Sequence, residues 1–84
     1  VDIDWEYPGI YRAADGNDRG NPAGYEDNAN FTLLLKDLKG KMGSKVVAIG
    51  ISAAKEKIVK TTPGEYINYV DFVNVMSYDL YGAW

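Results

Sequence analysis

The chain has 84 residues, 46% hydrophobic and 25% charged, which is ordinary globular composition and the length of one domain or part of one. Nine basic and twelve acidic side chains leave a net charge of −3, with no electrostatic footprint for nucleic acid or an anionic membrane, and no apolar run reaches the length of a membrane span. Cysteine and histidine are both absent, so no disulfide framework reports a compartment, and any chemistry must run on carboxylates, tyrosines or lysines.

The first element, residues 1–6 of "VDIDWEYPG", alternates as a strand does. Asp2, Asp4 and Glu6 share one face, and Val1, Ile3 and Trp5 the other. Carboxylates two residues apart repel one another, so the column needs either open solvent, as on a charged edge strand, or a task. Pro8-Gly9 ends the strand, and residues 9–24, rich in Gly, Asn, Asp and Pro, form a long exposed loop. Phe31, Leu34, Leu35, Leu38 and Met42 then mark one helical stripe, with Gly40 and Gly43 at its end.

"KVVAIGIS" is a nearly continuous apolar run with β-branched residues, the pattern of a strand buried in a parallel sheet. "KEKIVKTTPGEYINY" is a short helical connection broken at Thr62-Pro63-Gly64, and "DFVNVMSYD" is a third strand. Strand, helix, strand, helix, strand is the α/β pattern of parallel strands with crossover helices. By parity Ile3, Trp5, Val47, Ile49, Ile51, Val73 and Val75 face the helices. The opposite face carries the acids, the small residues Ala48, Gly50 and Ser52, and then Asn74, Met76 and Tyr78. A doubly wound sheet needs apolar residues on both faces, whereas a barrel tolerates polar ones near its mouth, at the C-terminal strand ends where Glu6 and Tyr78 lie.

"VDIDWEYP" resembles the signature of glycoside hydrolase family 18, the chitinases, written DxxDxDxE with an aromatic before the Glu. "VNVMSYDLYGAW" resembles that family's sixth-strand pattern MxYDxxG, and "AIGISAAKEKI" is similar to the fifth-strand region of the bacterial chitinase A type. The first Asp of the signature would lie three residues before Asp2. The resemblance therefore implies a fragment of a (β/α)8 TIM barrel, roughly strands 4 to 6, with residues 1–84 a partial catalytic domain, since whole barrels need about 250 residues.

It also implies a chemistry. In this family the substrate's 2-acetamido oxygen is the nucleophile, so the protein supplies an acid rather than an attacking carboxylate. Glu6 would be the general acid and then the base that activates water, and the negative charge two residues back favours its protonated form. Asp4 would stabilise the oxazolinium cation, and Asp2 would share a proton with it. The Tyr78 hydroxyl would hold the acetamide in its attacking pose. Met76 and Asp79 would complete the subsite, with Tyr7, Tyr81 and Trp84 as aromatic contacts to sugar. Chitin or N-acetylglucosamine oligomers are the expected partners, not nucleic acid or membrane, and secretion follows from the resemblance alone. No cofactor is expected.

Rival readings remain. Asp15, Asn17, Gly20 and Glu26 fall at positions 1, 3, 6 and 12 of a calcium-loop pattern, but Arg19 and Pro22 interrupt it and a strand precedes it. Magnesium at Asp2, Asp4 and Glu6 rests on charge alone, so no metal is assigned. A lectin on the same fold would typically lack an acid at the position of Glu6. An endo-β-N-acetylglucosaminidase acting on glycoproteins would use similar acids.

Overall fold

The computed structural model describes residues 1–83. Its elements are β1 (Asp2–Asp4), α1 (Asp27–Met42), β2 (Ala48–Ser52), α2 (Lys55–Ile58), α3 (Pro63–Tyr66) with a 3-10 turn (Ile67–Tyr69), and β3 (Phe72–Met76). The strands form one parallel sheet in the order β1-β2-β3. Its register sets Asp2 beside Ala48 and Phe72, Asp4 beside Gly50 and Asn74, and Ser52 beside Met76. Residues in register share a face, so the acids, the small residues of β2 and Met76 lie together on one side.

Both crossovers pack against the other side. Phe31 and Leu35 of α1, Tyr66 of α3, and Val47 and Ile49 form the core, flanked by Ile3, Trp5, Ile51, Tyr69 and Val73. Trp5 meets Phe31 edge-on at 5.9 Å between ring centroids, and Phe31 meets Tyr66 at 5.5 Å in the same geometry. Such pairs add about 0.5–1.5 kcal/mol to the burial of the rings. At the N-terminal end of the sheet, the Asp71 carboxylate accepts from Lys39 Nζ and the Val47 N–H, both at 2.8 Å, tying α1 to the start of β2 and β3. Lys39 first, and the Val47 N–H second, hold that carboxyl below its ordinary range.

Several expected positions differ. Val75 does not reach the helices and is half exposed, because β3 is an edge strand with no described helix beyond it. Val1 is likewise half exposed, lying ahead of β1. The buried face of α1 is centred on Leu35, with Thr32 buried on one flank and Leu34 exposed on the other. The α3 side draws the helix round, since Thr62 Oγ1 donates to Asn28 Oδ1 at 2.7 Å on the Thr32 flank. Gly40 sits inside α1, and only Gly43 ends it, with φ of 60°, a conformation that favours glycine. Pro63 opens α3 as its first residue, where its missing N–H costs nothing; the break lies just before it.

Candidate active site

β1 ends at Asp4, so the strict alternation of side chains is no longer enforced when the chain reaches Glu6 and Tyr7. The Glu6–Tyr7 peptide is cis, and the Tyr7 hydroxyl donates to Glu6 Oε1 at 2.8 Å. Lys57, at the end of β2's following turn of helix, sets its Nζ 4.0 Å from the Tyr7 ring centroid, a cation–π contact. Burial first, and then the hydrogen bond and charge of Glu6, push the Tyr7 hydroxyl up to about 12, with the negative charge of Asp4 acting in the same direction. Tyr7 is therefore a neutral hydrogen-bond donor toward Glu6 throughout the neutral range.

Glu6 opens into a depression of about 160 Å³ whose walls include Tyr7, Ser52, Lys57, Met76, Tyr78 and Asp79. Five of the residues expected at the site thus meet there: Glu6, Tyr7, Met76, Tyr78 and Asp79. Tyr78 is largely exposed, and Asp79 takes a left-handed backbone with φ of 52°, which turns the chain just past β3. Asp4 lies one layer below. A Cβ placed on Gly50 would stand 3.8 Å from Asp4 Oδ1 and 4.0 Å from Met76 Sδ, ordinary contact distances that set the carboxylate and the methionine on the same side of β2. Asp2 is a further layer down, level with Ala48 and Phe72. Tyr81 is 92% exposed and touches none of this, and Trp84 lies outside the described residues.

The loop after β1 is held by its own polar side chains. Trp5 Nε1 donates to Asn21 Oδ1 at 3.2 Å, while Asn21 Nδ2 donates to the carbonyls of Tyr7 and Ile10 at 2.8 and 2.6 Å. Asp27 Oδ2 accepts from the N–H groups of Gly9 and Gly24 at 2.9 and 3.3 Å. Asp15 Oδ1 accepts from the N–H groups of Asn17 and Asp18, and Asp18 pairs with Arg12 at 2.9 Å. Asp15, the first acid of the calcium-like pattern, is thereby committed to a turn, and Asp18, which is outside the pattern, to an ion pair. Among the described residues no group of three acids is arranged to hold a metal ion.

The sequence puts Lys55 and Lys57 after β2, where they could reach a sugar, but gives no sign of the Lys57 contact with the Tyr7 ring or of the Tyr7–Glu6 bond. Neighbours in a strand point apart, and nothing in the composition signals that the strand stops two residues earlier.

A family model for glycosyl hydrolases family 18 matches residues 1–84. Chitinase 2 of Yersinia entomophaga is 37% identical over 91 aligned residues, covering 99% of this chain and 14% of the relative. Chitinase ChiA74 from Bacillus thuringiensis superposes with a TM-score of 0.86 at 30% identity, over 100% of this chain and 14% of that one. A glycoside hydrolase family 18 N-acetylglucosaminidase from Paenibacillus barengoltzii gives 0.84 at 33% identity, over 100% of this chain and 25% of that one. The chain spans a minor part of the length of each.

Proposed function

The chain belongs to glycosyl hydrolases family 18, and from that premise we propose that it is the catalytic-acid portion of a secreted enzyme that cleaves β-1,4 linkages between N-acetylglucosamine units in chitin. Residues 1–84 then supply three successive strands, the fourth to sixth, of a (β/α)8 barrel. Support comes from a sheet whose strands neighbour one another in chain order, with both crossovers on one face and the acids on the other. In a barrel the helices lie outside and the acid face looks inward to the mouth.

The observation that carries the proposal is the depression in which Glu6 meets Met76, Tyr78 and Asp79, with Asp4 directly beneath. In the first step the Glu6 carboxyl gives its proton to the glycosidic oxygen as the bond from that oxygen to the anomeric carbon breaks. The acetamido oxygen of the same sugar closes on the anomeric carbon from the other face. The Tyr78 hydroxyl holds that oxygen in line, and the Asp4 carboxylate faces the cationic oxazolinium ring. In the second step Glu6 takes a proton from water as the water attacks the anomeric carbon. The ring opens, the acetamide is restored, and the product keeps the β configuration. Asp2 shares a proton with Asp4 from below.

Glu6→Gln in the full-length protein should abolish hydrolysis of N-acetylglucosamine oligomers and keep their binding, because the amide has the shape of the acid and no proton to give. Turnover near the wild-type rate in that variant would remove Glu6 from the role. The N-acetylglucosaminidase likeness favours a second reading in which single sugars are released from chain ends. Product length on a long oligomer separates the two, since an end-acting enzyme gives only the terminal unit at early times.

A further inference from the structure

Glu6 stands outside the regular part of its own strand. The last residue of β1 in register with β2 is Asp4, beside Gly50, so residues 5–7 lie beyond the ladder. One side chain from the loop grips the chain on both sides of the acid. Asn21 Oδ1 accepts from the indole N–H of Trp5 at 3.2 Å, while Asn21 Nδ2 donates to the carbonyl of Tyr7 at 2.8 Å and to that of Ile10 at 2.6 Å. A primary amide has one oxygen and two N–H donors, so the oxygen and both donors are engaged and the group fits only one way round.

Asn21 is itself fixed. Its backbone N–H and C=O pair with those of Arg12 at 2.8 and 3.0 Å, an antiparallel bridge that closes the loop on itself. Gly20 permits that closure, since its φ is 72° and a Cβ there would overlap the Arg12 carbonyl. On the other side Trp5 meets Phe31 of the core edge-on at 5.9 Å. The amide therefore joins a pinned loop to the core, and the backbone of Glu6 runs between its points of grip. The Tyr7 hydroxyl aims the carboxyl group, whereas Asn21 sets where the backbone beneath it stands. A general acid must come within roughly 2.6–3.2 Å of the oxygen it protonates, and a misplacement of about 1 Å can cost on the order of 10²-fold.

We propose that Asn21 is a positioning residue for the general acid, holding residues 5–7 so that the Glu6 carboxyl meets the oxygen of the bond to be cleaved. The role rests on the hydrolase reading, and leaving-group chemistry separates the two. A sugar leaves with a proton, whereas 2,4-dinitrophenolate leaves without one. Asn21→Ala in the full-length protein should lower kcat/KM for an N-acetylglucosamine tetramer by about 10- to 30-fold, a part of the roughly 10²- to 10⁴-fold that a general acid supplies. For the 2,4-dinitrophenyl glycoside of the dimer, kcat/KM should fall by less than about 3-fold, because that first step asks for no proton. Tetramer affinity, measured by calorimetry in the Glu6→Gln background, should not change, since Asn21 touches protein and not sugar. Asn21→Asp has the same size and still accepts from Trp5, yet cannot donate to the two carbonyls, so it should give the same split between substrates. Equal losses on both substrates, weaker tetramer binding, or no loss at all would each overturn the role and leave Glu6 as the acid. Failure of both variants to fold would overturn it too, because Asn21 would then hold the domain together rather than the acid. A wild type that cleaves neither substrate, or a Glu6→Gln variant that cleaves the tetramer at the wild-type rate, would sink the hydrolase reading and the role with it.

Discussion

Tyr7 makes two contacts in the structure that the sequence does not announce. As an aromatic beside the acid it reads as a surface for sugar, yet its hydroxyl is spent on Glu6 Oε1 and one face of its ring lies under Lys57 Nζ. A hydrogen bond to a charged group contributes about 1.5–3 kcal/mol, so it can fix which way the Glu6 carboxyl points. Tyr7→Phe keeps the ring and the lysine contact and deletes only the hydroxyl. In the full-length protein kcat should fall roughly 10- to 100-fold with KM nearly unchanged, because the group lost touches the acid and not the sugar. A variant with normal kcat and normal KM would mean that the hydroxyl bond does nothing for the acid. A raised KM with normal kcat would return Tyr7 to the status of a substrate contact.

At the scale of elements, the loop after β1 decides how well the site is held. Sixteen residues of helix α1 and five of β2 are regular enough to keep their own shape, but the loop between β1 and α1 depends on the side-chain amide of Asn21 and the carboxylate of Asp27. Asp27→Ala leaves the Gly9 and Gly24 N–H groups without their acceptor. That should cost about 1–3 kcal/mol in denaturant unfolding and speed amide exchange at Gly9 and Gly24. Exchange at those two glycines equal to wild type would show that the loop is held elsewhere. The sequence displayed the strands and α1 because period 2 and period 3.6 are local and redundant. It displayed the acid face for the same reason. The work of Asn21 and Asp27 was illegible, since a loop rich in Asn, Asp and Gly looks alike whether its polar atoms meet solvent or backbone. The burial of Tyr66 and Thr32, and the exposure of Leu34 and Val75, depend on where α3 and the sheet edges fall, which is a fact of packing between distant segments.

At the scale of the whole molecule, the two faces of the sheet are unequally served. One carries the core, from Phe31 and Leu35 to Ile49 and Tyr66, while the other leaves Asp2, Asp4 and Glu6 exposed, and Phe72 with them. The outer edges of β1 and β3 have no strand partner among the described residues. The accessible area of 5970 Å² exceeds the roughly 5000 Å² that a folded monomer of 9.3 kDa should show, and the radius of gyration of 13.6 Å exceeds the roughly 12 Å of a compact chain this long. A chain of this size is marginal even with its surface closed, and parallel edges with half-exposed Val1, Phe72 and Val75 beside them invite pairing with another copy. The 84 residues expressed by themselves should therefore self-associate, give broad amide signals, and hydrolyse no N-acetylglucosamine oligomer. The reason for the last is geometric: the proposed roles of Asp4 and Tyr78 need surroundings that exclude water and fix the sugar, and the exposed acid face provides neither. Light scattering, a heteronuclear NMR spectrum and an oligomer assay on the purified chain check the three parts together. A monomer with dispersed signals and turnover would show that this sheet needs no further strands, and the barrel reading of its acid face would be wrong.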